Sequence, residues 1–162
     1  MPEWTSLMRA WQVLVMMAAL GGPLSGCGRK PPDATAEGVA REFLDRMERV
    51  QGEPKDARAA FDLLSKSAQT SLSDRSRRAS AAFGKRMGPE QMLTPSHFFP
   101  RFQPRQWTTR LQGKRALVEV VGLDASSERA EIPCVLEDGR WRIDLQLPPL
   151  PPVERRPGVE PR

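Results

Sequence analysis

The chain has 162 residues, 39% of them hydrophobic and 6% aromatic with no Tyr, and 25 basic against 20 acidic side chains leave a net charge of +5. That length holds one domain and little more, and a mean hydropathy of −0.51 excludes a polytopic membrane protein. Two Cys, at positions 27 and 134, are too few for a disulfide scaffold.

Residues 13–20 (VLVMMAAL) form an unbroken apolar run, closed by the breakers Gly21-Gly22-Pro23. As a helix this run would reach only ~12 Å, far short of a ~30 Å hydrocarbon core, so it reads as the apolar region of a signal peptide. Directly behind it stands Leu24-Ser25-Gly26-Cys27, which resembles the lipobox of bacterial lipoproteins. The resemblance implies a signal peptide over residues 1–26 and cleavage between Gly26 and Cys27. It also implies diacylglyceryl and palmitate chains on Cys27. Small residues before the Cys let extended backbone enter the peptidase, and Leu24 fills an apolar subsite. Near the start Glu3 opposes Arg9, whereas initiation at Met8 would give a shorter signal with an early Arg and no acid.

Removal of residues 1–26 takes away one basic side chain, Arg9, and one acidic, Glu3, so the mature charge stays +5. One acyl chain binds a membrane marginally, but the two or three of a mature lipoprotein anchor it firmly. Gly28 is not the Asp that retains enterobacterial lipoproteins in the inner membrane. The resemblance therefore implies an outer-membrane anchor, with the protein facing the periplasm, in an organism with two membranes. Arg29 and Lys30 would lie beside the headgroups, where each basic residue contributes about 1 kcal/mol near an anionic surface. A lipidated tether over residues 27–35 follows, of which residues 28–35 span at most ~28 Å.

Helices come next. Thr35 is a candidate N-cap, and Val39, Phe43, Met47 and Val50 form one apolar stripe, ended by Gly52 and Pro54. Asp56 is the expected cap of a second helix with Ala57, Phe61, Leu64 and Ala68 on one face. An interruption is expected at Ser71 to Ser73, with Ser73 capping a third helix that carries Ala79, Ala82, Phe83 and Met87 inward. Pro89-Glu90-Gln91-Met92-Leu93 suits one more helical turn.

Strands follow. Trp107, Thr109 and Leu111 alternate, Gly113-Lys114 turns, and residues 117–121 are rich in β-branched side chains. Ala130, Ile132, Cys134 and Leu136 share one face of a third strand. Asp138-Gly139 suits a type I′ hairpin turn, after which Trp141, Ile143, Leu145 and Leu147 alternate with Arg142, Asp144 and Gln146. Trp141, with Phe61 and Phe83, is expected between sheet and helices. Helices followed by an antiparallel sheet give an α+β fold in a single domain over residues 36–147. Residues 148–162, rich in Pro, read as a disordered or polyproline tail.

This order of elements resembles the nuclear transport factor two-like fold, a cone of helices on a curved antiparallel sheet. The resemblance covers residues 36–147 and rests most on Phe61-Asp62-Leu63-Leu64-Ser65 and Asp138-Gly139-Arg140-Trp141-Arg142-Ile143. That superfamily holds both enzymes and domains without chemistry, so it constrains function weakly.

The residues themselves assign no catalytic group. His97 is the one His; Asp45 and Asp62 fall off the apolar stripes, which suits solvent-facing ion pairs; Asp144 alternates away from Trp141 and Ile143. Cys134 shares a face with Ile132 and Leu136 and reads as a small buried hydrophobe. One His and one free Cys make no metal-ligand pattern, and no cofactor is expected. Charge carries the remaining signal: Arg75, Arg77, Arg78, Lys85 and Arg86 open a basic segment that runs to Arg115, with Glu90 its one acid, and the later strands are acidic. Two readings stand open. Helix and first strand pair with the acidic strands, or the basic residues form a face for anionic envelope polymers or another envelope protein. No nucleic-acid partner is expected outside the cytoplasm. The expectation is a membrane-anchored envelope lipoprotein with a non-catalytic binding or scaffolding module. The alternative is a small periplasmic ligand carrier or enzyme that uses the interior pocket of the cone.

Overall fold

The computed structural model describes residues 30–51 and 53–152. The expected signal peptide, Cys27 and Gly52 lie outside them. From Pro31 onward the chain forms one unit.

A 3-10 turn, Pro32–Ala34, leads into helix α1, Ala36–Arg49. Thr35 is extended, and its Oγ1 accepts the Gly38 N–H at 3.0 Å, which satisfies one of the unpaired donors of the first turn. Ala36, Val39, Ala40, Phe43, Leu44 and Met47 bury one stripe. The opposite face carries the i,i+4 ion pairs Glu37–Arg41, Glu42–Arg46 and Asp45–Arg49.

Helix α2, Pro54–Asp62, starts two residues before the expected cap. Pro54 sets the helical φ at the first position and needs no N–H partner there. Asp56 thus sits inside the first turn, 1% exposed, where Arg46 Nη1 (2.6 Å) and Arg49 Nε (3.4 Å) meet its carboxylate. The chain then turns against the sheet. Leu64 bridges to Ile143, the Ser65 N–H donates to the Ile143 carbonyl at 2.8 Å, and the Ile143 N–H donates to Leu63 at 2.9 Å.

Helix α3, Lys66–Phe83, is continuous, so the expected interruption at Ser71 to Ser73 is corrected. Ser65 is its cap, with Oγ accepting from the Ala68 N–H at 3.2 Å. Ser73, Ser76 and Ser80 donate their hydroxyls back to the carbonyls of Gln69, Ser73 and Ser76, so they remain inside the helix. Gly84, at φ +63°, closes it in the left-handed conformation that costs a glycine little. Phe83 is 76% exposed, against the expected packing, because its end of α3 runs beyond the covered part of the helix, whose last buried residues are Leu72 and Ser76. A 3-10 turn, Pro89–Met92, occupies the expected helical turn, and the short helix α4 spans Pro95–Phe98.

Four antiparallel strands run in meander order: β1 Gln106–Gln112, β2 Arg115–Val121, β3 Arg129–Glu137 and β4 Arg140–Ile143. Asp138 (φ 51°) and Gly139 (φ 76°) both take positive φ, as a type I′ turn requires. Register places Leu111, Ala116, Cys134 and Ile143 in one cross-strand row, and Thr109, Val118 and Ile132 in the next. Both rows face α1. Trp141 pairs with Leu136 at the sheet end and is half-buried against the core, on the side expected. β4 stops at Ile143, short of the expected alternation through Leu147. The Asp144 N–H donates to Pro133 at 2.8 Å, and the chain leaves the ladder there. The result is α+β, as expected. Among the described residues no helix is long and apolar enough to cross a membrane.

Candidate functional site

The five basic residues singled out in the sequence take three different settings. Arg75 and Arg78 lie three apart on one side of α3, and their guanidinium groups donate to the backbone carbonyls of Pro148 and Pro151. Arg77 points elsewhere and pairs with Asp74. Lys85 and Arg86 follow Gly84, are exposed, and have no carboxylate partner among the described residues. They do not converge on a single patch.

The Arg75 and Arg78 contacts match two repeats. Residues three apart on a helix share a face. A Pro-rich segment favours the polyproline conformation, whose three-residue turn returns carbonyls 148 and 151 to one side. The boundary expected after residue 147 therefore does not mark where the chain leaves the domain. Residues 147–150 run along α3 as a strap, and with Ser71, Asp74, Arg77 and Arg78 they enclose a groove of about 600 Å³. On the strap's other side, Leu72, Arg75, Met92 and Phe98 line a second groove of about 590 Å³. Residues 153–162 of the expected tail lie outside the described residues.

Mutual compensation of charge is seen on the sheet. Arg110 reaches Glu131 at 3.0 Å and Glu119 at 3.7 Å, and Arg129 also pairs with Glu119. Lys66, at the start of α3, joins it by pairing with Asp138 at 2.8 Å, whereas Arg75, Arg77 and Arg78 go to strap carbonyls and to Asp74.

The candidates for chemistry occupy ordinary settings. Asp45 is held by Arg49 at 2.7 Å and Asp62 by Arg58 at 3.2 Å, both as exposed ion pairs. Asp144 accepts the hydroxyl of the buried Ser65 at 3.0 Å. His97 is exposed, 3.3 Å from Thr94 Oγ1 through Nδ1 and edge-on to Phe98. Cys134 is 2% exposed, and burial pushes its thiol up to about 12, with the Asp144 charge adding to the effect. A thiol so held is inert at neutral pH. Among the described residues no group of three or more His, Cys, Asp or Glu is placed to hold a metal.

Asp56 and Asp33 are buried carboxylates that the sequence reading does not mark as such, and Asp56 is the more deeply buried. Its hydrogen bond from Arg46 lowers its pKa against the opposing effect of desolvation, with Arg49 helping. The available signal was Arg46 and Arg49, three apart on the polar side of α1, followed by an acid just past the helical turn. Two guanidinium groups fix this carboxylate in its charged form, which suits a staple between α1 and α2 better than a proton acceptor.

The centre of the layer between α1 and the sheet is filled, with grooves of about 240 and 510 Å³ at its edges. Phe43, Met47, Val118, Val120 and Ile143 are each 0–1% exposed. The cavities described lie around that core, among them one of about 450 Å³ between α2 and the 89–92 turn, edged by Arg58 and Glu90 at 4.0 Å. No family model, curated protein or solved structure matches the chain.

Proposed function

We propose that the chain is an envelope lipoprotein anchored through lipid on Cys27, with a periplasm-facing, cone-like domain that binds or scaffolds without catalysing a reaction. The observation that carries this reading is Leu24-Ser25-Gly26-Cys27 placed directly behind the apolar run of residues 13–20. The packed layer under α1 supports a binding surface over an interior active site, since substrate would have to displace Phe43 and Met47 to enter. Lys85 and Arg86, exposed past the end of α3, are the basic groups best suited to an anionic envelope polymer or an acidic protein surface.

Lipid labelling tests the anchor. The native chain should incorporate palmitate and lose residues 1–26, while Cys27→Ala should do neither. Equal incorporation by the variant would remove the lipoprotein reading. With Met1 disabled and Met8 kept, expression and labelling should persist; loss of product would place the start at Met1.

A further inference from the structure

Resting on that anchor, we propose that the β1–β2 hairpin end of the sheet lies on the anionic lipid surface that holds Cys27, with Leu111, Lys114 and Arg115 as its contacts. Three residues separate Cys27 from Pro31, so the backbone between them reaches only ~14 Å. Where Pro31 leads is fixed by the fold. The 3-10 turn that follows it is tied to the sheet through Asp33, 8% exposed, which Arg140 and Arg142 approach at 3.5 and 3.8 Å. Ala34 and Thr35 then share a groove with Leu111 and Trp141.

The β1–β2 and β3–β4 turns stand at this same end of the sheet, because the Leu136 N–H donates to the Lys114 carbonyl at 2.7 Å. The opposite end, where Leu123 is 86% exposed, lies a seven-residue strand away, ~23 Å at the usual rise. The anchor thus brings one end of the sheet to the membrane and leaves the other beyond its reach.

The chemistry of the near end fits a headgroup layer. Leu111 is 66% exposed although its cross-strand neighbours Ala116 and Cys134 are buried. Beside it Lys114 and Arg115 are exposed and have no carboxylate partner among the described residues. The acids nearby are engaged: Asp138 by the Lys66 ammonium at 2.8 Å, Glu37 by Arg41 at 2.8 Å, and Glu137 by the Lys66 backbone N–H at 3.1 Å. What remains unpaired there is an apolar side chain flanked by cations, the pattern that settles at an anionic interface.

The test uses the full lipidated protein in phosphatidylethanolamine vesicles containing phosphatidylglycerol, with a nitroxide on the lipid acyl chains. A fluorophore is placed on Leu111→Cys or on Leu123→Cys; Cys134 is buried and stays unlabelled. We expect strong loss of fluorescence at 111, none at 123, and partial recovery at 111 when K114E and R115E are added. Equal intensity at both positions, or quenching at 123 alone, in protein that carries lipid and sediments with the vesicles, would overturn this orientation and leave the anchor standing. Protein whose mass shows no lipid would overturn both.

Discussion

Helices α1 and α3 are built on different principles. α1 buries six side chains in fourteen residues, and its stripe packs on all four strands and on α2. α3 is longer, eighteen residues, yet buries only Ala68, Leu72 and Ser76. α1 is held by apolar packing along its stripe; α3 is held at its N-terminal half by Ala68 and Leu72, and beyond them by its caps, Ser65 and Gly84, and by guanidinium contacts to the strap. A helix of the second kind leaves most of its surface uncovered, and Arg75, Arg77 and Arg78 sit on that surface, with Lys85 and Arg86 just past its end.

That contrast can be broken at its strongest point first. Phe43→Ala should cost about 3–5 kcal/mol in chemical denaturation, the usual range for a truncated core aromatic. A cost under about 1 kcal/mol would mean that α1 does not carry the core.

The Asp56 staple comes next and is read through pH. Its folded pKa is depressed below the ordinary 3.8, so its contribution is complete above that value and disappears as pH falls through the lower folded value. Asp56→Asn should therefore melt lower than the native chain at neutral pH. It should also lose less of its melting temperature on acidification below about pH 4. An unchanged acid slope would show that Asp56 is not held charged by Arg46 and Arg49.

Smaller effects sharpen the α3 side. Replacing Arg75 and Arg78 together with Ala should free the strap and speed amide exchange at Leu147 and Leu150. Global stability should fall by about 1–3 kcal/mol, since two hydrogen bonds are lost and each contributes about 0.5–1.5 kcal/mol. Unaltered exchange would mean that the strap is held by its apolar contacts alone. Smallest of all, Phe83→Ala should change stability by less than about 0.5 kcal/mol; a core-sized loss would restore the inward placement read from the sequence.

What could be read from the sequence followed the same division. The stripe of α1, its Thr35 cap, the alternation of β1 to β3 and the Asp138-Gly139 turn are local patterns with a fixed period, and the structure has them where expected. The serines of α3 resemble a break in the sequence, and the difference lies in hydroxyls that bond to the preceding turn. Phe83 was counted inward because helical spacing gives a face without saying how far the covering layer extends. The strap left no trace, since two carbonyl acceptors 73 residues away from their arginines have no sequence signature.

The central claim, that the domain is tied by lipid to a membrane a few residues away, has one direct measurement. Trypsin digestion of the native membrane-extracted protein should release Cys27-Gly28-Arg29 as the N-terminal peptide, since Pro31 protects the bond after Lys30. Mass spectrometry should find that peptide carrying a diacylglyceryl thioether on Cys27. A membrane-fraction chain with the bond between Gly26 and Cys27 intact and the Cys27 thiol unmodified would contradict the account.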